Sequence, residues 1–358
     1  MGLLIVGRGE PERGGIPTFL SWLSSTAAAD GTPAKFLNLS PGVDTPGGRW
    51  RLSNLLRSLH DAAAVARHTS RRDIVHVHTA MAPGSTAVRA ALLCAAARAR
   101  GGRVLLHVHG GRLPLWASSR GRRALLRLCL ATAHCVATVS QATFASAAAL
   151  VGDGRVTLIT NGVDTGRFHP AEGPRTTAPV ILYVGHLSPR KGVGDLLEAS
   201  GRLVEAGLPH ELVIIGGAPD EGAAHAVSID AHRHPAVRYR GPLAPAEMPT
   251  AYRDADVLCL PSWWEAMPLS VLEGMASGLP VVATDVGDIR TAVQHGRSGL
   301  LVRPRRPDEL TAALASLLKD PALRRRMGAN ARSEAEQHWA DDGTWAQIQA
   351  TYEQLARR

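Results

Sequence analysis

The chain has 358 residues, of which 45% are hydrophobic and 20% are charged. This length fits two domains of ordinary size, and the composition excludes extensive disorder. No run of 18 uninterrupted apolar residues occurs, and the four cysteines show no Cys-x-x-Cys spacing, so we expect neither a membrane-spanning helix nor a disulfide framework.

The net charge of +9 is concentrated in the first half of the chain. Residues 1–175 hold 21 Arg or Lys against 9 Asp or Glu, whereas residues 176–358 hold 19 against 22. A basic first half indicates an anionic partner, and the candidates are nucleic acid, an anionic membrane surface and a pyrophosphate-bearing lipid. Aromatic residues are few and do not alternate with basic ones, which argues against nucleic acid; a solvated basic face is the remaining alternative.

A glycine-rich loop follows the first predicted strand, residues 2–6. The loop spans residues 7–15 and precedes a predicted helix over residues 16–28, an arrangement that binds phosphates in doubly wound sheets. Glu12 occupies the place of the third glycine of the dinucleotide fingerprint, so we do not predict a nicotinamide cofactor. Gly14 and Gly15 would allow another molecule close to the backbone, and a plain tight turn is the alternative.

Predicted strands and helices alternate along the rest of the chain in two series. The first series has strands at residues 35–39, 73–78, 103–109, 135–139 and 156–160, and helices at 52–67, 84–99, 122–131 and 142–150. The second has strands at 180–185, 211–215, 237–240, 256–260, 280–284 and 299–302, and helices at 193–205, 248–253, 307–318, 321–338 and 344–358. This alternation predicts parallel sheets with helices on both faces. Residues 169–179 contain three prolines and no periodicity, as expected of a linker between two domains.

Two His-x-His pairs lie on neighbouring predicted strands. His76 and His78 share one face of their strand, and so do His107 and His109. The pairs suggest a zinc site, but no further ligand cluster is evident and hydrogen-bonded structural histidines are commoner, so we predict no metal. His109 differs in position, because it lies at the carboxyl end of its strand before two glycines, where open α/β sheets bind ligands.

Arginines and leucines are interleaved around Trp116, between residues 98 and 130. An apolar face beside basic residues is typical of a helix that lies in a membrane interface. An ordinary amphipathic helix with a solvated basic side is the alternative.

Arg190 and Lys191 lie between a predicted strand and the helix that starts at Val193. The first turn of a helix has free backbone N–H groups, and two cations beside them form an anion site. An exposed basic turn is the alternative.

The segment from Glu265 to Glu273 combines phosphate-binding and hydroxyl-binding groups. It follows a buried strand that ends at Leu260 and leads into a helix, with Pro268 expected at the first helical position. Free N–H groups at the helix start favour an anion, and the two carboxylates can accept hydroxyl protons. Phosphates and hydroxyls together indicate a nucleotide sugar; a buried strand and a capped helix with two solvated acids is the alternative.

Five motifs, taken together, closely resemble glycosyltransferase family 4, also described as glycosyl transferases group 1. The resemblance covers essentially the whole chain, strongly after residue 155 and more loosely before it. Each motif alone is unspecific, but the combination in this order is specific. The motifs are Asn161-Gly162-Val163-Asp164, the run from Val184 to Gly192, the Glu-x7-Glu element Glu265 to Glu273, the run from Gly278 to Asp285, and the run from Gly296 to Val302.

The resemblance implies a GT-B fold in the α/β class, with two Rossmann-like doubly wound parallel-sheet domains facing across a cleft. The expected parts are an N-terminal acceptor domain over residues 1–168, a linker over 169–179 and a donor domain over 180–340. Residues 341–358 are expected to form a C-terminal helix that crosses back to the N-terminal domain.

The resemblance also implies roles for charged residues. Arg190 and Lys191 would hold the donor diphosphate, Glu273 would bind the ribose hydroxyls, and Glu265 would bind hydroxyls of the donor sugar. Family members generally need no metal, which agrees with the absence of an Asp-x-Asp donor-metal motif, so no cofactor is expected. Asp254-Ala255-Asp256 has that spacing, but it leads into the buried strand.

Further roles fall on the backbone and on one histidine. His109 would lie near the reacting sugar and, with Glu265, is the predicted catalytic residue. Gly14 and Gly15 would let the diphosphate approach. The remaining donor contacts would come from the backbone of Met267, Pro268 and Leu269.

The predicted function is therefore that of a retaining, metal-independent glycosyltransferase. It would move a hexose-type sugar from a nucleotide-diphosphate sugar to an acceptor hydroxyl, in cell-surface polysaccharide or glycolipid biosynthesis. The alternatives are a non-catalytic nucleotide-sugar-binding regulatory protein on the same fold and a nucleotide-sugar epimerase. A lipid-linked saccharide is the preferred acceptor, with a soluble small molecule or a growing polysaccharide as alternatives, and an anionic membrane surface is a further expected partner. The first residues resemble a strand rather than a secretory signal, so the expected location is cytoplasmic, at the inner face of the membrane if the basic half binds it.

Overall fold

The computed structural model describes residues 2–12, 14–40, 52–82, 84–173, 178–217 and 234–357. By its internal contacts the chain divides into two compact units, one of residues 1–160 and 344–358 and one of residues 161–343. Among the described helices, none is both long enough and apolar enough to cross a lipid bilayer.

Six parallel strands form the sheet of the first unit, and helices flank it. The strands are β1 (Leu3–Gly7), β2 (Ala34–Asn38), β3 (Ile74–Thr79), β4 (Arg103–Val108), β5 (Cys135–Thr138) and β6 (Val156–Leu158). Their spatial order is β2-β1-β3-β4-β5-β6. The helices are α1 (Gly15–Ala29), α2 (Leu52–His68), α3 (Gly84–Ala99), α4 (Leu113–Trp116), α5 (Arg120–Ala131) and α6 (Gln141–Val151).

The second unit repeats this architecture. Its strands are β7 (Val180–Val184), β8 (Glu211–Ile215), β9 (Val237–Gly241), β10 (Val257–Leu260), β11 (Val281–Thr284) and β12 (Gly299–Val302), in the order β12-β11-β10-β7-β8-β9. Its helices are α7 (Val193–Glu205), α8 (Met248–Arg253), α9 (Leu269–Ala276), α10 (Ile289–Ala292), α11 (Pro307–Lys319) and α12 (Pro321–His338). A last helix, α13 (Asp341–Arg357), belongs to the first unit from residue 344 onward.

The central strands are buried on both faces, which explains their nearly continuous apolar runs. In the first unit, one face of the sheet packs under α2, α3, α5 and α6, around Val65, Leu93 and Leu126. The other face packs under α1 and α13, around Leu20 and Ile348. The predicted fold class, two doubly wound parallel sheets, is confirmed.

One local prediction differs from the structure. Pro268 lies at the N-cap rather than at the first helical position, because its ψ of 128° is extended and α9 begins at Leu269. The short helices α4 and α10 have no counterpart among the predicted elements. The segment 169–179, predicted as a linker, lies within the second unit, and residues 174–177 of it are outside the described residues.

Candidate functional site

Gly192 joins the loop after β7 to the loop after β10. Its φ of 68° is left-handed, and a Cβ placed there would lie 1.9 Å from the carbonyl oxygen of Pro261. Only glycine tolerates this φ together with so close an approach. The backbone N–H of Trp263 also donates to the carbonyl of Arg190 at 2.8 Å. The two loops are therefore fixed to each other at the carboxyl end of the sheet.

Arg190 and Lys191 lie in a short 3-10 turn before α7, and both side chains bind the loop after β10. Arg190 donates from Nη1 to the carbonyl of Trp264 at 2.9 Å, and its guanidinium lies 5.5 Å from the centroid of that ring. Lys191 donates from Nζ to Oε1 of Glu265 at 2.5 Å. The Lys191 and Glu265 side chains are only 13% and 10% exposed, so solvent screens their attraction much less than it screens a surface pair.

Trp263 attaches the same loop to α7 and to the segment that follows β12. Its Nε1 donates to Oδ2 of Asp195 at 2.7 Å, and the guanidinium of Arg305 lies 4.3 Å from its ring centroid. Arg305 itself has a positive φ of 60°. These contacts restrain the loop that carries Glu265, although neither Asp195 nor Arg305 belongs to a motif.

Glu273 lies on α9 and is hydrogen-bonded to Tyr252 of α8. The Tyr252 hydroxyl donates to Oε2 of Glu273 at 2.6 Å. Burial raises the pKa of Glu273, and the hydrogen bond from Tyr252 opposes that rise. Gly274 lets α9 lie against β10, because a Cβ there would be 2.6 Å from a methyl group of Leu258.

The backbone before α9 is held by three contacts. Asn161 donates from Nδ2 to the carbonyl of Met267 at 2.8 Å, and Asp288 donates its N–H to the carbonyl of Ala266 at 2.9 Å. Gly287, with φ of 58°, lies so close that a Cβ would be 2.4 Å from the carbonyl oxygen of Glu265. The position of the loop and of the helix start at 269, where free N–H groups favour an anion, is thus fixed by the protein itself.

In the first unit, the glycine loop ends at Gly14, which caps α1. Gly14 has a φ of 123°, a conformation that favours glycine, and its carbonyl accepts from the N–H and Oγ1 of Thr18 at 3.1 and 3.0 Å. A Cβ on Gly15 would meet nothing within 4 Å. The backbone therefore needs glycine at Gly14, whereas Gly15 leaves open space at the start of α1.

The four histidines predicted on neighbouring strands form one cluster, which we call the histidine tetrad (His76, His78, His107 and His109). His76 Nε2 lies 3.2 Å from His107 Nδ1, with ring planes 5° apart, and His78 Nδ1 lies 2.9 Å from His109 Nε2, with planes 21° apart. Along each strand the rings also lie close: centroids are 4.1 Å apart for His76 and His78, whose planes are tilted by 36°, and 4.3 Å apart for His107 and His109, whose planes are 26° apart. The hydroxyl of Tyr352, on α13, lies 2.7 Å from His76 Nδ1.

The tetrad brings three possible metal ligands together. One nitrogen each of His76, His78 and His107 can be chosen so that all lie within 4.8 Å of one another. However, a ring nitrogen binds a metal through a lone pair in the ring plane, and the nearly parallel rings of His76 and His107 already face each other through Nε2 and Nδ1. The nitrogen–nitrogen distances of 3.2 and 2.9 Å in the two pairs are those of N–H···N hydrogen bonds. The geometry fits hydrogen-bonded pairs better than a metal centre, and the absence of a metal stays a prediction.

His109 is the member of the tetrad at the end of its strand. Burial lowers its pKa to about 3, so the imidazole is neutral at neutral pH. The ring of Phe19, on α1, lies 4.8 Å away between centroids. Since His78 occupies Nε2, Nδ1 is the nitrogen left for a ligand. Gly110 follows in close contact with β3, because a Cβ there would be 2.1 Å from the carbonyl oxygen of Ala80.

The structure thus distributes the predicted site residues over the two units. The second unit brings its predicted residues to one end of its sheet: Arg190, Lys191, Glu265, Met267, Pro268, Leu269 and Glu273. The first unit holds Gly14, Gly15 and His109. Sequence reasoning missed the residues that hold these in place: Asp195, Tyr252, Asn161 and Tyr352. Asn161 opens the motif Asn161-Gly162-Val163-Asp164, which was a usable signal. The contacts of the other three residues can be seen only in the folded chain.

Comparison with known proteins gives two matching families. Residues 164–334 match the family described as "Glycosyl transferases group 1", and residues 23–167 match "Glycosyltransferase Family 4". A D-inositol 3-phosphate glycosyltransferase of Rhodococcus erythropolis is 31% identical over 206 residues, which cover 52% of this chain and 47% of that protein. A glycogen synthase of Mycobacterium tuberculosis is 35% identical over 202 residues, covering 55% and 47%. The chain spans about half the length of these curated relatives.

Solved structures match along nearly the whole chain. Sucrose-phosphate synthase from Thermosynechococcus elongatus superposes with a TM-score of 0.78 at 21% identity, covering 99% of this chain and 98% of that one. Anabaena HepE, solved with UDP-glucose, gives a TM-score of 0.74 at 18% identity, covering 99% and 100%. At such identities the likeness shows the fold alone, which is GT-B. The two family matches together run from residue 23 to residue 334. The chain therefore belongs to the group 1 glycosyltransferases, as its motifs predict.

Proposed function

We propose that this protein transfers a hexose-type sugar from a nucleotide-diphosphate sugar to an acceptor hydroxyl, with retention of configuration and without a metal. The observation that carries the proposal is the desolvated pair of Lys191 and Glu265, with Arg190 alongside, at the end of the second sheet. A cation and a carboxylate held together before α9 suit a ligand that carries both phosphates and hydroxyls. The membership in a glycosyltransferase family supports the same function.

In this proposal, charge on the departing diphosphate is stabilised by the protein. Arg190 and Lys191 supply two cationic donors, of which Lys191 is already paired with Glu265, and the start of α9 at Leu269 supplies free N–H groups, so that developing negative charge meets donors already in place. The backbone of Met267 and Pro268 would border the distal phosphate and the sugar. The side chain of Arg190 is already held in position by its hydrogen bond to the carbonyl of Trp264.

The sugar and ribose hydroxyls need acceptors. We assign the ribose to Glu273 and the donor sugar to Glu265. Because Lys191 neutralises Glu265, this carboxylate is a poor nucleophile, and we assign it positioning and electrostatic roles. The acceptor proton would pass to the leaving phosphate, on the face that the leaving group vacates.

Three residues of the first unit take their roles from the family resemblance. Gly14 and Gly15 would allow the diphosphate close to the backbone, and the open space beside Gly15 suits this role. His109 would orient a sugar hydroxyl through Nδ1 as a neutral imidazole. We place the acceptor among lipid-linked saccharides of cell-surface polysaccharide or glycolipid synthesis, at the inner face of the membrane.

Thermal unfolding in the presence of UDP, GDP, ADP and their sugars, with and without Mg²⁺, tests the proposal. A nucleotide at a hundred times its dissociation constant adds about 2.7 kcal/mol of stability, which raises the melting temperature by roughly 5–10 °C. We expect one base to give this shift, without a requirement for Mg²⁺. Lys191→Ala and Glu273→Ala should abolish the shift, whereas the control Lys319→Ala, at an exposed position at the end of α11, should keep it. No shift with any nucleotide would refute donor binding.

A further inference from the structure

Helix α2 has its apolar side chains on the outside. Four leucines, Leu52, Leu55, Leu56 and Leu59, are 73%, 45%, 59% and 49% exposed. Their spacing of i, i+3, i+4 and i+7 places them on one stripe of the helix. In an ordinary amphipathic helix of a globular unit, this stripe would face the core.

The buried face of α2 is instead partly polar, and the carboxylate on this face is neutralised by an arginine. Ser58, Asp61 and Val65 are the buried residues of the helix. Oδ2 of Asp61 accepts from Nε and Nη2 of Arg89, on α3, at 3.1 and 2.9 Å. Asp61 is the single Asp or Glu between residues 52 and 68. The outward stripe of α2 therefore carries leucines and no acid.

In the same helix layer as α2, and separated from it by α3, the surface is strongly basic. Between Asp73 and Asp153 the sequence contains nine arginines and no Asp, Glu or Lys. Helices α2, α3 and α5 pack on the same face of the first sheet. On α5 the arginines at 120, 122, 123 and 127 are exposed, and Leu128 among them is 70% exposed. This side of the first unit thus offers both exposed apolar groups and unneutralised positive charge.

The structure changes the expectation of an interfacial helix around Trp116. On α5, Leu126 and Leu130 are fully buried, so the apolar side of that helix belongs to the core and its arginines form the solvated side. Trp116 is half-buried under the guanidinium of Arg122, at 5.5 Å. Most of the exposed leucines that the structure describes in this layer therefore lie on α2, which the sequence pattern did not single out.

We propose that the exposed leucines of α2 and the exposed arginines of α5 dock the first unit on an anionic lipid bilayer. Leucines enter the boundary between headgroups and acyl chains, while the arginines of α5, on the same layer of helices, attract anionic headgroups. A second copy of this chain is a poorer occupant, because pairing this face with itself would set arginines against arginines without an acid to neutralise them. The inference is independent of the donor site.

Binding to vesicles of phosphatidylcholine, with and without phosphatidylglycerol, tests the surface. We expect sedimentation with the anionic vesicles, weakened by salt and nearly absent with phosphatidylcholine alone. Arg122, Arg123 and Arg127 changed together to Glu should weaken binding at least about a hundredfold. The triple variant Leu55→Gln, Leu56→Gln, Leu59→Gln should weaken it on the order of tenfold or more.

A matched control removes an exposed apolar group elsewhere. Val204→Gln alters a residue that is 41% exposed on α7, and vesicle binding should not change. Each variant should keep its melting temperature and its nucleotide-induced shift, which separates loss of docking from misfolding and from failure of the donor site. Vesicle binding that survives both triple changes would overturn the proposal. So would leucine variants that bind vesicles normally but dissociate a dimer in analytical ultracentrifugation.

Discussion

Replacing Gly192 by alanine should damage the donor site from a distance. Gly192 has a left-handed φ of 68°, and the new Cβ would lie 1.9 Å from the carbonyl oxygen of Pro261, whereas real Cβ contacts are essentially never below 3.0 Å. The loop after β10 must therefore move away. That loop carries Trp263 and Glu265, so the movement should pull Glu265 away from Lys191.

The cost can be worked from two terms. A left-handed conformation costs a residue with a Cβ about 1–2 kcal/mol, and forcing an extra carbon into a packed site costs about 1–3 kcal/mol. The free energy of unfolding should therefore fall by about 2–5 kcal/mol. For a unit of this size, each kcal/mol lowers the melting temperature by about 2–4 °C, so we expect a loss of roughly 4–20 °C.

Gly194 provides the matched control, two residues further along α7. It has no positive φ, and a Cβ there would meet nothing within 4 Å. Gly194→Ala should therefore stabilise the helix by about 0.5–1 kcal/mol. Differential scanning calorimetry with and without the nucleotide should show a lower melting temperature and a lost nucleotide shift for Gly192→Ala only. If Gly192→Ala binds the nucleotide with unchanged affinity, the coupling of the two loops through this residue is wrong.

Three further predictions concern protonation and hydrogen bonding. Burial raises the pKa of Glu273, so the folded state holds the carboxyl proton more tightly than the unfolded state does. The contribution of Glu273 to stability therefore falls as pH rises from about 4.5 to the folded-state pKa. Glu273→Gln should remove this fall from the plot of melting temperature against pH. Tyr252→Phe removes a hydrogen bond that lowers the pKa of Glu273, so this carboxylate becomes protonated at a higher pH in the variant. As pH falls, nucleotide binding should therefore be lost at a higher pH than in the wild type, as titration calorimetry across pH would show. His78→Phe keeps an aromatic ring in the tetrad but frees Nε2 of His109, and should slow donor hydrolysis on the order of tenfold and change its pH profile, with the donor KM unchanged. An unchanged kcat and pH profile would show that His78 does not position His109.

The sequence predicts the layers of this protein well, because each layer has a local signal. Short apolar runs bounded by glycine or proline become β10 and β11, and the periodic stretches between them become helices. The anion-binding turn with Arg190 and Lys191 could also be predicted, since a strand end and a helix start frame it. The main local error is one residue long: Pro268 precedes its helix rather than starting it.

The contacts that hold the site could not be predicted, because they join distant parts of the chain. Lys191 and Glu265 are 74 residues apart, and Tyr252 and Glu273 are 21 residues apart on different helices. The spacing of the motifs identifies the site residues but not the residues that they contact. The same holds for Gly192, whose necessity depends on the backbone of another loop rather than on its own turn.

The orientation of α2 shows a deeper limit of pattern reading. A stripe of four leucines normally indicates the buried face, because burying such side chains stabilises a fold by about 1.5–3 kcal/mol each. Here that stabilisation is forgone, and the helix buries the pair of Asp61 and Arg89, which must be desolvated. An exposed apolar patch of this kind marks a surface that a lipid bilayer or a protein partner covers. The apolar stripe therefore specifies an interaction rather than a core, and no periodicity of the sequence distinguishes the two.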